Sequence, residues 1–340
     1  MRIIKNIFFL ILVVLSSVEI ASSQEIGNIR LSMIEGDVQI YTPDTRDWVV
    51  ALPNLPLTED SRIWVPDNGR AEVHVKGGIY IRLDQNTSMD IVSSENGSIQ
   101  TYVAKGRIYI NNRKGRDDII QIDTPLTSVN IPDNSIVIAE VSDNGSTEVS
   151  VLKGYAYVES LKGKRRVSSG SSLHIDEDRY ATLSPLGPPD EWERWNRQRD
   201  RRLFDYQNSA RYLPDELQEY DHDFTQNGRW IYTRDYGYVW TPTVIISAGW
   251  SPYKSGRWLW IRGHYVWIPY EIWGWVPYHY GRWTFIIGIG WCWVPPPRGA
   301  VYWGPGYVAW VYTPHYVAWV PLAPGEIYYG YGYYGPWSVN

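Results

Sequence analysis

The sequence predicts a mainly β protein in two unlike halves joined by one α-helix. Three observations carry this. Residues 26–183 alternate apolar and polar side chains in short runs cut by turn-forming Gly, Asn and Asp. Residues 228–325 repeat the phrase Gly-Arg-Trp, answered nine or ten residues after its Trp by Trp-x-Pro. Between the halves, a Pro-rich stretch precedes a segment with helical spacing and end charges.

The chain opens like a secretory signal over residues 1–23. Arg2 and Lys5 precede the apolar run Ile7 to Leu15, and Ala21-Ser22-Ser23 supplies small residues for cleavage. The run is too short for a comfortable membrane span, and no later apolar stretch reaches spanning length. The expectation is an exported chain, periplasmic or extracellular in a bacterium, with no transmembrane segment once mature. The single Cys292 excludes an intramolecular disulfide; flanked by Trp291 and Trp293 in a predicted strand, it reads as a buried thiol.

Residues 26–183 show period-two alternation at Val73 to Val75, Ile79 to Leu83, Ile108 to Ile110, Ile120 to Ile122, Ile136 to Ile138 and Val149 to Val151. Asp67-Asn-Gly69, Gly77-Gly78, Asn96-Gly97 and Asp143-Asn-Gly145 supply turns between them. A local phrase recurs at Lys76-Gly77, Lys105-Gly106 and Lys153-Gly154, each leading into a β-rich run. This spacing predicts an all-β sandwich, jelly roll or solenoid-like domain.

The order of short motifs here resembles a FecR domain. Glu35-Gly-Asp-Val38, Trp48, Leu57-Thr-Glu-Asp60, Asn68-Gly-Arg-Ala-Glu-Val73, Ile81-Arg-Leu83 and Asn86-Thr87 follow its order. Lys105-Gly106, Asp123-Thr-Pro125, Lys153-Gly154 and Ser169-Gly170 continue it, so the resemblance covers about residues 30–178. It implies an extracytoplasmic β domain of the kind best known from membrane-spanning regulators that signal to a sigma factor. This chain has a signal peptide where those regulators carry a cytoplasmic sigma-binding segment and a retained span. The Trp-rich half is similar to an uncharacterised family that often follows FecR domains in secreted bacterial proteins.

Residues 184–227 form the linker. Ser184-Pro-Leu-Gly-Pro-Pro189 stops the β half, and a helix is predicted over 190–207. Trp192 and Trp195 are expected to dock it. Glu191 and Glu193 lie at its positive end, and Arg197, Arg199, Arg201 and Arg202 toward its negative end, as the helix dipole favours. These Arg residues read as a solvated face.

Residues 228–337 hold 15 of the 19 Trp. Gly228-Arg229-Trp230 is answered by Trp240-Thr-Pro242, Gly256-Arg257-Trp258 by Trp267-Ile-Pro269, and Gly281-Arg282-Trp283 by Trp293-Val-Pro295. Each unit reads as a β-hairpin ended by Pro, the second with a three-residue connection Arg262-Gly-His264. Trp319-Val-Pro321 reads as a degenerate later copy, and Trp250-Ser-Pro252 and Trp275-Val-Pro277 lie between units. Alternation places Trp258 with Trp260, Trp273 with Trp275, and Trp291 with Trp293 on shared strand faces, while Leu259, Ile261, Val266 and Ile268 make the other face apolar. Residues 326–340 form a Tyr/Gly-rich tail.

Two readings of the Trp set stay open. The rings fill a core between stacked hairpins, or some faces remain free as a platform for sugar rings or quaternary ammonium groups. The candidate binding residues are Trp230, Trp240, Trp258, Trp260, Trp267, Trp275, Trp283 and Trp293, with Arg229, Arg257 and Arg282 on the opposite strand face as structural or anion-contacting cations. His264, His279 and His315 have spacings that match no compact metal motif. No nucleophile–base pair, phosphate loop or cofactor motif is present, and neither half carries the basic stripe of a nucleic-acid binder.

The expected function is that of a non-catalytic envelope protein binding cell-wall glycan, polysaccharide or a protein partner through the aromatic repeat. The alternatives are an accessory of envelope signalling and a structural protein that hides its apolar faces in an oligomer.

Overall fold

The computed structural model describes residues 26–95, 98–113, 120–204, 210–243 and 249–328. The expected signal peptide, the Gln207 end of the expected helix and the tail beyond Tyr328 lie outside these residues.

Period-two alternation in the first half produces two sheets packed on one core. In the first sheet the neighbour order is Leu55–Pro56, Ile29–Glu35, Arg70–Val75, Ile79–Leu83, the 106–112 part of Ser98–Asn112, Ser135–Val141, Thr147–Lys153, Ser171–Ile175 and Ala181–Pro185. In the second it is Trp48–Val50, Gln39–Tyr41, Arg62–Val65, Thr87–Glu95, the 98–105 part of Ser98–Asn112, Ile120–Asp123, Ser128–Ile131, Tyr155–Val158 and Arg165–Ser168. The fold is therefore a sandwich, wound in the solenoid-like way of laying successive hairpins on alternate sheets. Ser98–Asn112 belongs to both sheets and changes sheet near Gly106. Gly106 has φ 96°, and a Cβ there would lie 2.4 Å from Thr87, so only glycine fits the crossing.

Ile81, Val73 and Ile110 of the first sheet meet Ile63, Ile91 and Val103 of the second in the core. The opposite face of the first sheet carries Glu72, His74, Tyr80, Arg82, Tyr109 and Asn111, all buried as well. Their cover is the linker: helix α1 (Glu191–Phe204), a 3-10 segment (Asp215–Tyr220) and helix α2 (Asp221–Asn227). Asp190 caps α1, its carboxylate accepting the Glu193 amide at 2.7 Å, so the helix starts at Glu191, one residue later than expected. Trp192 packs edge-on to Tyr109 at 6.3 Å, docking the helix on the sandwich as expected.

The Arg-rich face of α1 differs from the sequence reading. Arg199 turns inward, its guanidinium donating to both Glu72 oxygens at 2.9 and 3.0 Å. Arg82 bridges Glu72 and Asp200, each at 2.7 Å, and Tyr109 and Asn111 donate to Asp200. Two cations and two anions thus neutralise each other between helix and sheet. Burial opposes ionisation of Glu72, but Arg199 and Arg82 outweigh it and hold the carboxyl well below the usual range. Arg201 and Arg202 remain exposed, and Arg197 pairs with Glu193 one turn back.

Among the described residues, the second half contains four hairpins: Gly228–Thr233 with Gly237–Pro242, Gly256–Ile261 with His264–Pro269, Arg282–Ile286 with Gly290–Val294, and Val308–Tyr312 with Val317–Pro321. The last is the degenerate copy. The second connection is two residues rather than three, because His264 already pairs with Ile261. Arg262 and Gly263, with φ 45° and 85°, supply the positive-φ pair of a tight hairpin turn. Trp273 and Trp275 do not share a strand face. Trp275 begins a short helix, α3 (Trp275–His279), and Trp273 lies in the turn before it.

Nor do consecutive hairpins form a continuous meander. The first and third join in one four-stranded sheet through Trp240 and Trp293, while the second and fourth are separate two-stranded ribbons. The apolar reverse face of the second hairpin has a specific partner: Ile261, Val266 and Ile268 are part of the sandwich core itself. Polar contacts reinforce this junction. Arg30 is buried, donates to Asn54 at 2.9 Å and pairs with Asp223 at 3.3 Å, while Asn54 donates to the Glu271 carbonyl at 2.9 Å.

Candidate functional site

The hairpin repeat builds two kinds of aromatic rung. The inner rung is a cross-strand Trp pair: Trp230 with Trp240, Trp258 with Trp267, Trp283 with Trp293, and Trp310 with Trp319. The glycine of each Gly-Arg-Trp phrase makes room for this pair. A Cβ on Gly228 would lie 2.3 Å from the Trp240 ring, one on Gly256 2.5 Å from Trp267, and one on Gly281 2.7 Å from Trp293. The spacing of the phrase is thus a packing requirement of the indole diagonally opposite.

Inner rungs meet between hairpins. Trp258 lies 4.7 Å from Trp310, and Trp230 lies 6.2 Å from Trp293. Trp240, Trp283 and Trp293 satisfy their buried indole N–H groups on the carbonyls of Phe224, Pro277 and Tyr280 at 3.1, 2.8 and 2.8 Å. Trp240, Trp267, Trp275, Trp283 and Trp293 are all at most 2% exposed, so five of the eight candidate Trp are packed inside the chain. Trp230 and Trp258 are half-buried, and Trp260 is 46% exposed.

Two residues farther along each strand, on the same face, lies the outer rung: Tyr232 with Tyr238, Trp260 with Tyr265, Phe285 with Trp291, and Tyr312 with Val317. The first three pairs have ring centroids 5.3, 4.8 and 5.7 Å apart. Tyr232, Tyr238, Trp260, Tyr265 and Phe285 are exposed, Tyr232 at 68% and Phe285 at 60%. Tyr265 also reaches within 6.3 Å of Trp310, which extends the second outer rung across to the fourth hairpin. Trp260 and Trp291 of this set were legible from strand alternation, beside Trp258 and Trp293. The signal for the others is the aromatic residue two positions after the first-strand Trp in all four units, and two positions before the Trp of Trp-x-Pro in three of them.

The three Arg do not converge. Arg229 is exposed, and Arg257 donates to the Tyr270 hydroxyl at 3.1 Å. Arg282 stacks at 4.0 Å on Tyr307 beside a cleft of about 410 Å³ that also includes Pro295, Pro297, Tyr302 and Glu326. The histidines are equally separate: His264 is half-buried and His315 exposed. His279 is buried and stacked on Trp303, and its Nδ1 donates to the Gly304 carbonyl at 2.8 Å. Burial pushes its pKa from 6.5 down to about 4, so the ring is neutral near pH 7. Burial likewise pushes the Cys292 thiol up, away from the thiolate a nucleophile needs.

The architecture is that of a two-part β protein, a wound sandwich carrying an aromatic hairpin array. Residues 61–157 match the FecR protein family, and residues 221–326 match a family of unknown function, DUF6600. The chain is thus a FecR segment followed by an uncharacterised domain. No curated protein matches it. Among solved structures, two crystal structures of a candidate anti-sigma factor from Parabacteroides distasonis are similar at 13% identity and a TM-score of 0.33. The similarity covers 36% of this chain and 59% of that one, which is less than two thirds of its length.

Proposed function

We propose that this chain is a non-catalytic, exported cell-envelope protein that binds envelope polysaccharide through the outer rungs. One observation carries the reading: in three hairpins an aromatic pair with one or both rings exposed recurs at the same register outside a Trp pair that is buried or half-buried. A core needs the inner rungs alone. Exposed ring faces held by strands are pre-organised to stack on the apolar faces of sugar rings, and Tyr hydroxyls and the Trp260 indole add polar contacts. Several weak sites on one chain gain avidity on a repeating polymer. The buried neutral His279 and buried Cys292 remove two common catalytic groups from solvent, in keeping with a binding role.

The test is retention of the full mature chain on a panel of immobilised envelope glycans, with a Tyr232→Ala/Tyr238→Ala/Trp260→Ala/Tyr265→Ala variant alongside. Retention of the parent on at least one glycan, lost in the variant with melting temperature little changed, supports the reading. Equal behaviour of the two proteins across the panel sinks it.

The FecR-family match at 61–157 favours a second reading, an accessory of envelope signalling that contacts a protein partner. A transcriptional response that depends on residues 26–183, and is indifferent to the outer-rung variant, would select it over the first.

A further inference from the structure

The far end of the sandwich carries a second feature, outside both family-matched segments. Two turns meet there: residues 159–164, between strands Tyr155–Val158 and Arg165–Ser168 of one sheet, and residues 176–180, between Ser171–Ile175 and Ala181–Pro185 of the other. They flank an open cavity of about 340 Å³ lined by the exposed Lys162, Lys164, Arg165 and Arg179, with Leu161 and Tyr180 as its apolar wall. No Asp or Glu lines it.

Many cations elsewhere in the chain are matched to acids. Arg30, Arg70, Arg82, Arg107, Arg197, Arg199 and Arg298 all pair with carboxylates. Among the described residues, the four cavity cations have no carboxylate within 4.0 Å. Of the neighbouring acids, Asp176 accepts the Tyr180 amide at 2.8 Å and Glu177 takes the Asn144 amide, while Glu159 and Asp178 are exposed and lie outside the cavity lining. Lys164 rests over the Tyr157 ring at 5.0 Å, its ammonium still open to a further partner. Arg179 holds its place with φ 61°, a conformation costly for a side chain that large. Four like charges around one cavity repel each other within a Debye length of about 8 Å, and a bound anion relieves that repulsion.

We propose that this cavity is a binding site for a phosphate group carried on a sugar-sized body. Lys point charges and Arg forks together suit a phosphate's several oxygens. The volume falls at the low end of the roughly 300–1,000 Å³ typical of small-ligand sites, and exceeds what a bare ion needs. Tyr180 and Leu161, 57% and 61% exposed, offer the ring or acyl portion a flat apolar contact. The site is independent of the outer rungs, so either can fail without the other.

Full mature chain is titrated calorimetrically with glucose 6-phosphate and with glucose, and sedimented with phosphatidylglycerol and with phosphatidylcholine vesicles. A Lys162→Ala/Arg179→Gly variant is run beside it, since glycine accepts the positive φ and preserves the turn. Expected is binding of a phosphate probe over its neutral counterpart, weakened by salt and reduced about tenfold or more in the variant at unchanged melting temperature. Binding of glucose 6-phosphate without vesicle sedimentation assigns a soluble phosphosugar, and sedimentation with phosphatidylglycerol alone assigns a lipid headgroup. If neither phosphate probe exceeds its neutral partner, or the variant binds as the parent does, the proposal is overturned.

Discussion

Replacing Trp240 and Tyr232 by alanine, separately, tests the division into inner and outer rungs. Both lie on the first hairpin and face the same side, yet Trp240 is 0% exposed and Tyr232 is 68% exposed. A buried aromatic removes about 150–250 Å² from water, worth about 4–6 kcal/mol at roughly 25 cal/mol per Å². Trp240→Ala forfeits all of this and also the indole N–H bond to the Phe224 carbonyl, which keeps the Gly228 amide, for about 1 kcal/mol more. Tyr232→Ala forfeits about a third of such an area, or about 1–2 kcal/mol. These are upper values, because the unfolded chain is itself partly compact. Equilibrium urea unfolding followed by far-ultraviolet circular dichroism reads both, with a common m-value licensing comparison of midpoints. The Trp240 variant should lose at least about three times what the Tyr232 variant loses. Equal losses, or a Trp240 variant within about 1 kcal/mol of the parent, would refute the claim that the inner rungs hold the fold and the outer ones do not.

Other tests address the junctions. Glu72→Gln strands Arg82 and Arg199 without their shared anion and should cost about 3–5 kcal/mol, whereas Arg201→Gln, on the exposed face of the same helix, should stay within about 0.5 kcal/mol. His279 makes stability fall on acidification. Its folded pKa is lowered, so its contribution is complete above about pH 6.5 and declines toward pH 4, as the unfolded chain takes a proton that the folded ring refuses. The shift from 6.5 to about 4 corresponds to about 3 kcal/mol, and His279→Asn should flatten that part of the stability–pH curve even if it lowers the whole. Asp223, held at about 2 by His222 and Arg30 against its burial, adds a separate loss only below about pH 4. Gly256→Ala, whose Cβ would meet the Trp267 ring at 2.5 Å, should destabilise by about 1–3 kcal/mol through overpacking, readable in the same urea titration.

Much of the fold was legible because it is written in short-range pattern. Alternation at Ile79 to Leu83 and the Gly-Arg-Trp phrase each specify a strand and its face without reference to anything distant. What was hidden depends on long-range partners. Arg199 looks like any cation on an exposed helix until Glu72, 127 residues earlier, is placed beneath it. Trp275-Val-Pro277 carries the same letters as Trp293-Val-Pro295, yet among the described residues no strand faces the first, and it coils into α3. The candidate site was half-visible for a related reason. Trp content draws attention to the rings, but exposure is decided by which rung each ring occupies: Trp267, packed against Trp258 and Trp319, is 1% exposed, and Trp260 is 46% exposed.

The second hairpin belongs to two interiors at once. Its Trp258 and Trp267 sit among the indoles of the repeat, and its Ile261, Val266 and Ile268 sit among the aliphatic side chains of the sandwich. A chain cut in the linker would leave each piece with a bare greasy wound, so the two halves should melt in one calorimetric event. Tension applied at Trp260 and Tyr265 enters the sandwich through a rigid ribbon only a few residues long, bypassing the linker altogether.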